Sequence, residues 1–362
     1  MRKVYFKTGA VRGIVIIFML CGILSLVAIW KGQFDDDWTS IASVLIKTME
    51  IEDVTITDWE TASRGESDYW RSVHAETMTP RQIIDYLKWS NRSACQTVHY
   101  FGGHFVPSTA PRGLDGQYPI CLDSMVRPSS ALTSSLELKD IEMMKNKKRG
   151  NKGCIVYSFG INGEWSFDEA VSEYGCRVFS FDPSMNETDH DHSQFIHFYN
   201  LGLSDRDHVI DDDGSGVKWA MKSLDSIYRM LSTTAVSAND KQRHHDSDAV
   251  IDYLKMDIEW DEWGVLPQII ESGMLAKIRQ LTVEFHLPTK FIPSSLPSAV
   301  DLNLDDYRRL VTVIKSMEHQ HGMVRFESRA NPWSVKTIKA LDHYVGSTCF
   351  EMSFYQILPF VT

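Results

Sequence analysis

Residues Cys154–Val171 read "CIVYSFGINGEWSFDEAV". A short apolar run comes first, then two glycines, then an acidic amphipathic stretch. That succession predicts a strand, a tight turn and a helix, the opening unit of many nucleotide sites. The turn itself, Gly160-Ile161-Asn162-Gly163, lacks the full GxGxxG spacing of a dinucleotide site.

The apolar runs recur downstream. "CRVFSF" (Cys176–Phe181), "FIHFYNLGL" (Phe195–Leu203), "VIDYLKMDI" (Val250–Ile258) and "IRQLTVEF" (Ile278–Phe285) are rich in β-branched and aromatic residues. Helical patterns lie between several of them, at 165–174, 224–231 and 265–276. Such alternation predicts an α/β fold whose mostly parallel sheet is covered on both faces. "LDDYRRLVTVIKSMEHQ" (Leu304–Gln320) predicts a further helix, and "MVRFESR" and "STCFEMSFYQIL" a closing pair of strands.

Upstream, "TPRQIIDYLKWS" (Thr79–Ser90) predicts a short helix with Thr79 as N-cap and Pro80 in the first turn. "YFGGHFVPSTAPRGLDGQYPICLD" (Tyr100–Asp123) is rich in Gly and Pro and reads as turns and loop. "KNKKRGNKG" (Lys145–Gly153) reads as a solvated boundary. "DHDH" (Asp189–His192), "RHHD" (Arg243–Asp246) and "DDDG" (Asp211–Gly214) read as polar loops or turns.

The N-terminus differs in kind. Residues 1–31 hold Arg2, Lys3, Lys7, Arg12 and Lys31 and no acid. Gly13–Trp30 carries no charge, and a helix of that length rises about 27 Å, near the apolar thickness of a bilayer. The flanking charges predict a signal-anchor with a cytosolic tail and a translocated body. A cleaved signal peptide and a buried soluble helix are the competing readings. The expected layout is tail 1–12, transmembrane helix 13–30, stem 31–78, lead-in 79–150 and main domain 151–362.

That topology places the body in an oxidising compartment, the secretory lumen or cell surface. The sequons Asn91-Arg92-Ser93 and Asn186-Glu187-Thr188 agree with it. Cys95 and Cys121, in turn-rich sequence, are the expected disulfide; Cys154 and Cys176 open two strands and read as buried core cysteines. The chain is acidic, with a formal net charge of −11, which argues against nucleic acid as a partner.

Ligands of open α/β sheets bind at the carboxyl ends of the strands. The five predicted strands end in "SFGING", in Asp182, in "LGLSD" with Asp205, in "KMDIEWDEW" with Asp257 and Glu259, and in "VEFH" with Glu284 and His286. Glu164 follows the turn directly and would repel a diphosphate. A cationic or neutral nucleoside ligand meets no such penalty, and S-adenosylmethionine, a sulfonium without phosphate, matches the acidic rim.

Taken in order, "SFGINGEWSFD", "VFSFDP", "LGLSD", "LKMDIEWDEW" and "LTVEFH" resemble the S-adenosylmethionine-dependent, seven-stranded methyltransferases. More narrowly, the chain is similar to the membrane-anchored methyltransferase-like family of animals, and distantly to the FkbM type with its K-D-E string on the fourth strand. The lead-in elements Cys95, Phe101–Gly103, Asp115–Gly116 and Cys121 share the resemblance. It implies a Rossmann-like sheet of order 3-2-1-4-5-7-6 with the last strand antiparallel. It implies S-adenosylmethionine on Gly160, Asn162 and Gly163, with Asp182 at the ribose and Ser204 and Asp205 at the adenine. His286, Asp257 and Glu259 would be catalytic, with His286 the most natural base. Glu284, Trp260 and Trp263 would face the substrate. One departure stands out, since Ser158 occupies a position where many such enzymes carry an acid.

No CxxC or Cys/His zinc spacing appears and no metal ligand is assigned, although Asp257, Glu259 and His286 would suit a divalent cation that orients a diol. The expected activity is methyl transfer in the secretory lumen to a hydroxyl or carboxylate of a glycan, protein or small molecule. A non-catalytic binding module is the alternative. A glycosyltransferase is a weaker one, because "DIEWDE" is a poor DxD motif.

Overall fold

In the computed structural model of the chain, residues 65–107, 112–128, 154–211, 218–232, 243–291 and 300–356 are described. The first labelled helix, α1 (Pro80–Lys88), starts on a reciprocal cap. The Gln82 amide donates to Thr79 Oγ1 at 3.2 Å, and the Thr79 amide donates to Gln82 Oε1 at 3.0 Å. Two strands follow, β1 (Val98–Val106) and β2 (Gly113–Cys121). The alternating region supplies β3 (Ile155–Phe159), α2 (Ser166–Tyr174), β4 (Arg177–Phe181), β5 (His190–Ser193), β6 (Ile196–Tyr199), α3 (Leu224–Leu231), β7 (Tyr253–Met256), α4 (Glu262–Glu271) and β8 (Gln280–His286). The chain closes with α5 (Leu304–His319), β9 (Val324–Ala330) and β10 (Cys349–Tyr355).

The main sheet runs β9-β10-β8-β7-β3-β4-β6-β5. Strands β8, β7, β3, β4 and β6 are mutually parallel, while β10 is antiparallel to both of its neighbours. The sheet has eight strands where the resemblance implies seven. The extra one is the edge strand β5, formed from the "DHDH" segment that reads as a loop. Its residues are anchored individually: the His192 ring stacks on Trp165 at 3.9 Å, and Asp191 bonds His197 of β6.

Both faces of the central strands are buried, which is why they read as continuous apolar runs. On one face Tyr157, Phe159, Phe179 and Met256 pack against Ile227 of α3, Val265 of α4 and Ile314 of α5. On the other, Val156, Val178 and Tyr253 pack against Phe167 and Val171 of α2 and against Phe101, Tyr118 and Ile120.

Those last three residues correct a prediction. Tyr100–Asp123 is largely an antiparallel hairpin, β1 with β2, rather than a loop. Its glycines mark close approach and not irregularity. Gly102 has φ +74°, and a Cβ there would come within 2.6 Å of the Phe167 backbone, so only glycine lets the hairpin seat on α2. Gln280 pins the hairpin base: its Oε1 accepts from the Cys121 amide and its Nε2 donates to the Cys121 carbonyl, both at 2.8 Å.

Cys95 and Cys121 form the expected disulfide. Cys154 and Cys176 form a second one, where the sequence suggests two separate core thiols. Parallel pairing of β3 with β4 brings the residues just before them side by side. Among the described residues only Cys349 is a free thiol, and it is buried. "RHHD" is also more than a loop. His245 is 4% exposed, its Nε2 lies 2.5 Å from the Tyr157 hydroxyl, and burial drops its pKa to about 4.

The body begins before Thr79. Trp70, Ala75 and Met78, assigned to the stem, are buried in the core, and Lys315 Nζ donates to the Trp70 carbonyl at 2.6 Å. The tail 1–12, the anchor 13–30, the rest of the stem to residue 64 and the basic run 145–153 lie outside the described residues. Among the described residues no helix is long and apolar enough to cross a membrane.

Candidate functional site

Strand β3 ends at Phe159, and the chain turns through Gly160 (φ +75°), Asn162 (φ +47°) and Gly163 (φ +74°) into α2. A Cβ on Gly160 would lie 1.7 Å from the Asp257 carbonyl oxygen, so this glycine is what lets the turn rest against the end of β7. Around Gly163 the space is open, with nothing within 4 Å of where a Cβ would stand.

Asp182, expected at the ribose, ends β4 beneath the glycine turn. It is 4% exposed and spends its carboxylate on protein donors. Oδ2 accepts from the Ile161 and Asn162 amides at 2.9 and 2.7 Å. Oδ1 accepts from the Ser184 amide and hydroxyl at 2.8 and 2.6 Å. The acid thus builds the turn.

The acid missing at Ser158 is replaced in space. Ser158 Oγ and Ser180 Oγ donate to the two oxygens of Asp168, at 3.2 and 2.5 Å. Asp168 is buried on α2; burial pushes its carboxyl up against the opposing pull of Lys255. Lys255, buried in β7, donates to the Phe159 and Gly160 carbonyls at 3.1 and 2.5 Å. Neither residue is singled out by the sequence reading. For Lys255 the signal was there, a charge inside the otherwise apolar run "YLKM"; Asp168 sits beside Glu169 in an acidic first turn and does not stand out.

Ser204 and Asp205 follow β6 at the same end of the sheet. The Ser204 amide donates to the Lys222 carbonyl at 2.9 Å, and Asp205 pairs with Arg206 at 3.1 Å. Asp261, just before α4, feels both: burial and the Asp205 charge push its carboxyl up, against a hydrogen bond from Ser204. At the start of α2 the Ser166 amide donates to Glu164 Oε1 at 2.9 Å, so an acid already caps this helix.

A second group of side chains lies at the ends of β7 and β8. Asp257 is half-buried and accepts from the Tyr118 hydroxyl of the hairpin at 3.4 Å. Glu284 is 8% exposed and accepts from Asn331 Nδ2 at 2.9 Å. Burial, then the charges of Asp257 and Glu351, push the Glu284 carboxyl well up. Glu351 is in turn paired with Arg329.

His286, read as the most natural base, is buried at the end of β8 and held by a carboxylate. Its Nδ1 lies 2.9 Å from Glu262 Oε1, and its Nε2 lies 3.6 Å from Glu259. Burial alone would lower its pKa, but Cys349 and Glu262 outweigh burial and push it up. Glu262, fully buried in the first turn of α4, is a residue that sequence reasoning missed. Glu259 and Trp260 are exposed and take positive φ (+49° and +85°), an unusual run for non-glycine residues. Trp263 is structural at its polar end, donating Nε1–H to the His286 carbonyl at 2.7 Å. Asn186 is exposed, in a left-handed turn after Asp182.

Comparison with known proteins fits this geometry. A family model described as "Methyltransferase domain" matches residues 140–331, which hold the glycine turn and both groups of site residues. The chain is 30% identical over 206 residues to the human protein named "Probable methyltransferase-like protein 24", covering 56% of this chain and 50% of that one. It is 28% identical over 179 residues to the rat protein of the same name, covering 48% and 45%. The chain thus spans about half the length of the curated relatives it matches.

Proposed function

The chain belongs to this methyltransferase-domain family, and from that premise we propose that it transfers a methyl group from S-adenosylmethionine to a hydroxyl or carboxylate. The observation that carries the proposal is the turn at Gly160. It is pressed against the end of β7, open at Gly163, held from within by Asp182 and Lys255, and followed directly by Glu164.

The residues present fit such a donor in part. Gly160–Gly163, Ser204, Asp205 and Asp257 stand at one end of the sheet and would hold it; Asp182 supports them from behind. The donor, when bound, supplies an electrophilic methyl on a cationic sulfur, which the acidic rim favours. Catalysis then asks the chain for an aligned acceptor and a place for its proton. Glu284, fixed by Asn331 and lying beside Asp257, takes the base role in this reading. His286, with both ring nitrogens facing carboxylates, positions Glu262 and Glu259 instead. Tyr118 and the exposed Trp260 flank the acceptor side.

The two disulfides support an oxidising, lumenal or cell-surface setting, and with it the type II anchor read at Gly13–Trp30. The acceptor class, whether glycan, protein or small molecule, is part of what a screen must find. One observation favours a second reading, a non-catalytic binding module: the Asp182 carboxylate already holds four protein hydrogen bonds.

The test is turnover with labelled methyl donor across glycan, protein and small-molecule acceptors, beside Glu284→Gln. The expected result is methylation by the wild type and a loss of about 100-fold or more in the variant, with donor binding retained. Unimpaired turnover in Glu284→Gln would remove Glu284 from the base role.

A further inference from the structure

Five groups with metal-binding atoms surround the end of β8. Ligand atoms of Asp257, Glu262 and His286 all lie within 4.8 Å of one another, and so do those of Glu284, His286 and Cys349. His286 is common to both sets. Carboxylates brought together in a protein interior normally have a cation between or beside them. Here the group facing Glu262 and Glu259 is the His286 imidazole, and Glu351 is paired with Arg329.

A second observation points the same way. Glu262 is 0% exposed, and only one of its oxygens is used: Oε1 faces His286 Nδ1 and accepts from the Ile258 amide at 3.2 Å. Its Oε2 has no partner among the described residues. A buried carboxylate oxygen without a donor is costly. The two oxygens share one carbon, so the orphan stays at this cluster. Metal–ligand bonds of about 2.0–2.2 Å place neighbouring ligand atoms about 3.0–3.5 Å apart, so an ion would draw the wider pairs of this cluster in by up to about 1.5 Å and part the 2.9 Å His286–Glu262 contact slightly.

We propose that Asp257, Glu262 and His286 form a binding site for one divalent first-row cation. Two carboxylates with one imidazole suit Mn²⁺ or Zn²⁺ better than Ca²⁺ or Mg²⁺. Asp257 is half-buried and Glu259 is exposed beside His286, so the ion keeps a side open to an outside oxygen ligand. The site shares Asp257 with the residues proposed to hold the methyl donor, but Glu262 and His286 belong to the cation site alone, and cation binding does not depend on the donor reading. Should both stand, the ion orients the acceptor oxygen.

The experiment uses the purified full chain, loaded with Mn²⁺ or Zn²⁺, freed of excess ion by gel filtration and measured for bound metal by mass spectrometry and calorimetry. Glu262→Gln and Asp257→Asn are run in parallel, with circular dichroism as the check on folding; Cys349→Ser separates the two overlapping sets. The expected result is about one tightly held ion per chain, affinity reduced about tenfold or more in either carboxamide variant, and retention in Cys349→Ser. If Glu262→Gln fails to fold, Asp257→Asn decides. No retained ion in the folded wild type, or retention unchanged in the carboxamide variants, overturns the site. S-adenosylmethionine binding measured on the wild type and on Glu262→Gln keeps the two claims apart, because Asp257 alone is common to both: loss of the ion with donor binding intact leaves the donor reading standing, and the reverse leaves the ion.

Discussion

At the scale of single residues, the recurring theme is a charged or polar group placed where the sequence suggests solvent or ligand and the fold uses it as a strut. Asp182 holds the turn through four donors. His245 caps the buried Tyr157 hydroxyl and stays neutral. Its folded pKa, about 4, lies below the ordinary value of 6.5. Between those values the unfolded chain takes up a proton that the folded chain refuses. Its contribution to stability is therefore complete above pH 6.5 and falls as the pH drops toward 4. The size is up to about 3 kcal/mol. Urea melts of the wild type and His245→Gln across that range check it: the wild type should lose more stability on acidification, and equal losses would contradict the assignment.

Much of this was legible. Glycine at 160 and the strand-terminal acids could be read directly, because turn chemistry and position along a strand are local properties. What a carboxylate does at its site is not local. Asp182 stands out as a strand-terminal acid assigned to a ribose, and nothing in the sequence shows that two amides of the preceding turn fold back onto it. Asp168, Lys255 and Glu262 were passed over for a related reason. Asp168 and Glu262 each sit among other acids and stand out only when their partners, Ser158, Ser180 and His286, arrive from other elements.

At the scale of elements, the helices and central strands follow from periodicity, and the lead-in hairpin does not. Gly102, Gly103 and Gly116 suppress the strand signal because they are chosen for contact, not for propensity. The hairpin brings Tyr118 to Asp257 and packs on α2, the helix that follows the glycine turn. Its base is tied by Cys95–Cys121 across a separation of 26 residues, a loop whose closure is worth about 3.5 kcal/mol in the chain-entropy account. Replacing both cysteines by serine should lower unfolding free energy by about that amount and raise hydrogen exchange in 98–121 first. A variant as stable and as protected as the wild type would show that the Gln280 bonds and the α2 contact suffice.

At the scale of the whole molecule, five parallel strands deliver their carboxyl ends to one edge, and the polar residues of that edge come from segments spread from Tyr118 to Glu351. Two chemistries meet there, an open glycine turn and a cluster of carboxylates around His286. The family match covers both, which is why a methyl donor on the first and an acceptor near the second is the reading that uses the whole edge.

The most direct measurement is a calorimetric titration of the folded chain with S-adenosylmethionine, beside Asp205→Lys, a charge reversal at an exposed rim position. The account predicts saturable binding by the wild type, weakened about tenfold or more in the variant as rim electrostatics turn against the cationic donor. A folded wild type that gives no binding heat, and no displacement of a bound analogue, would contradict it and leave the non-catalytic module as the reading of this fold.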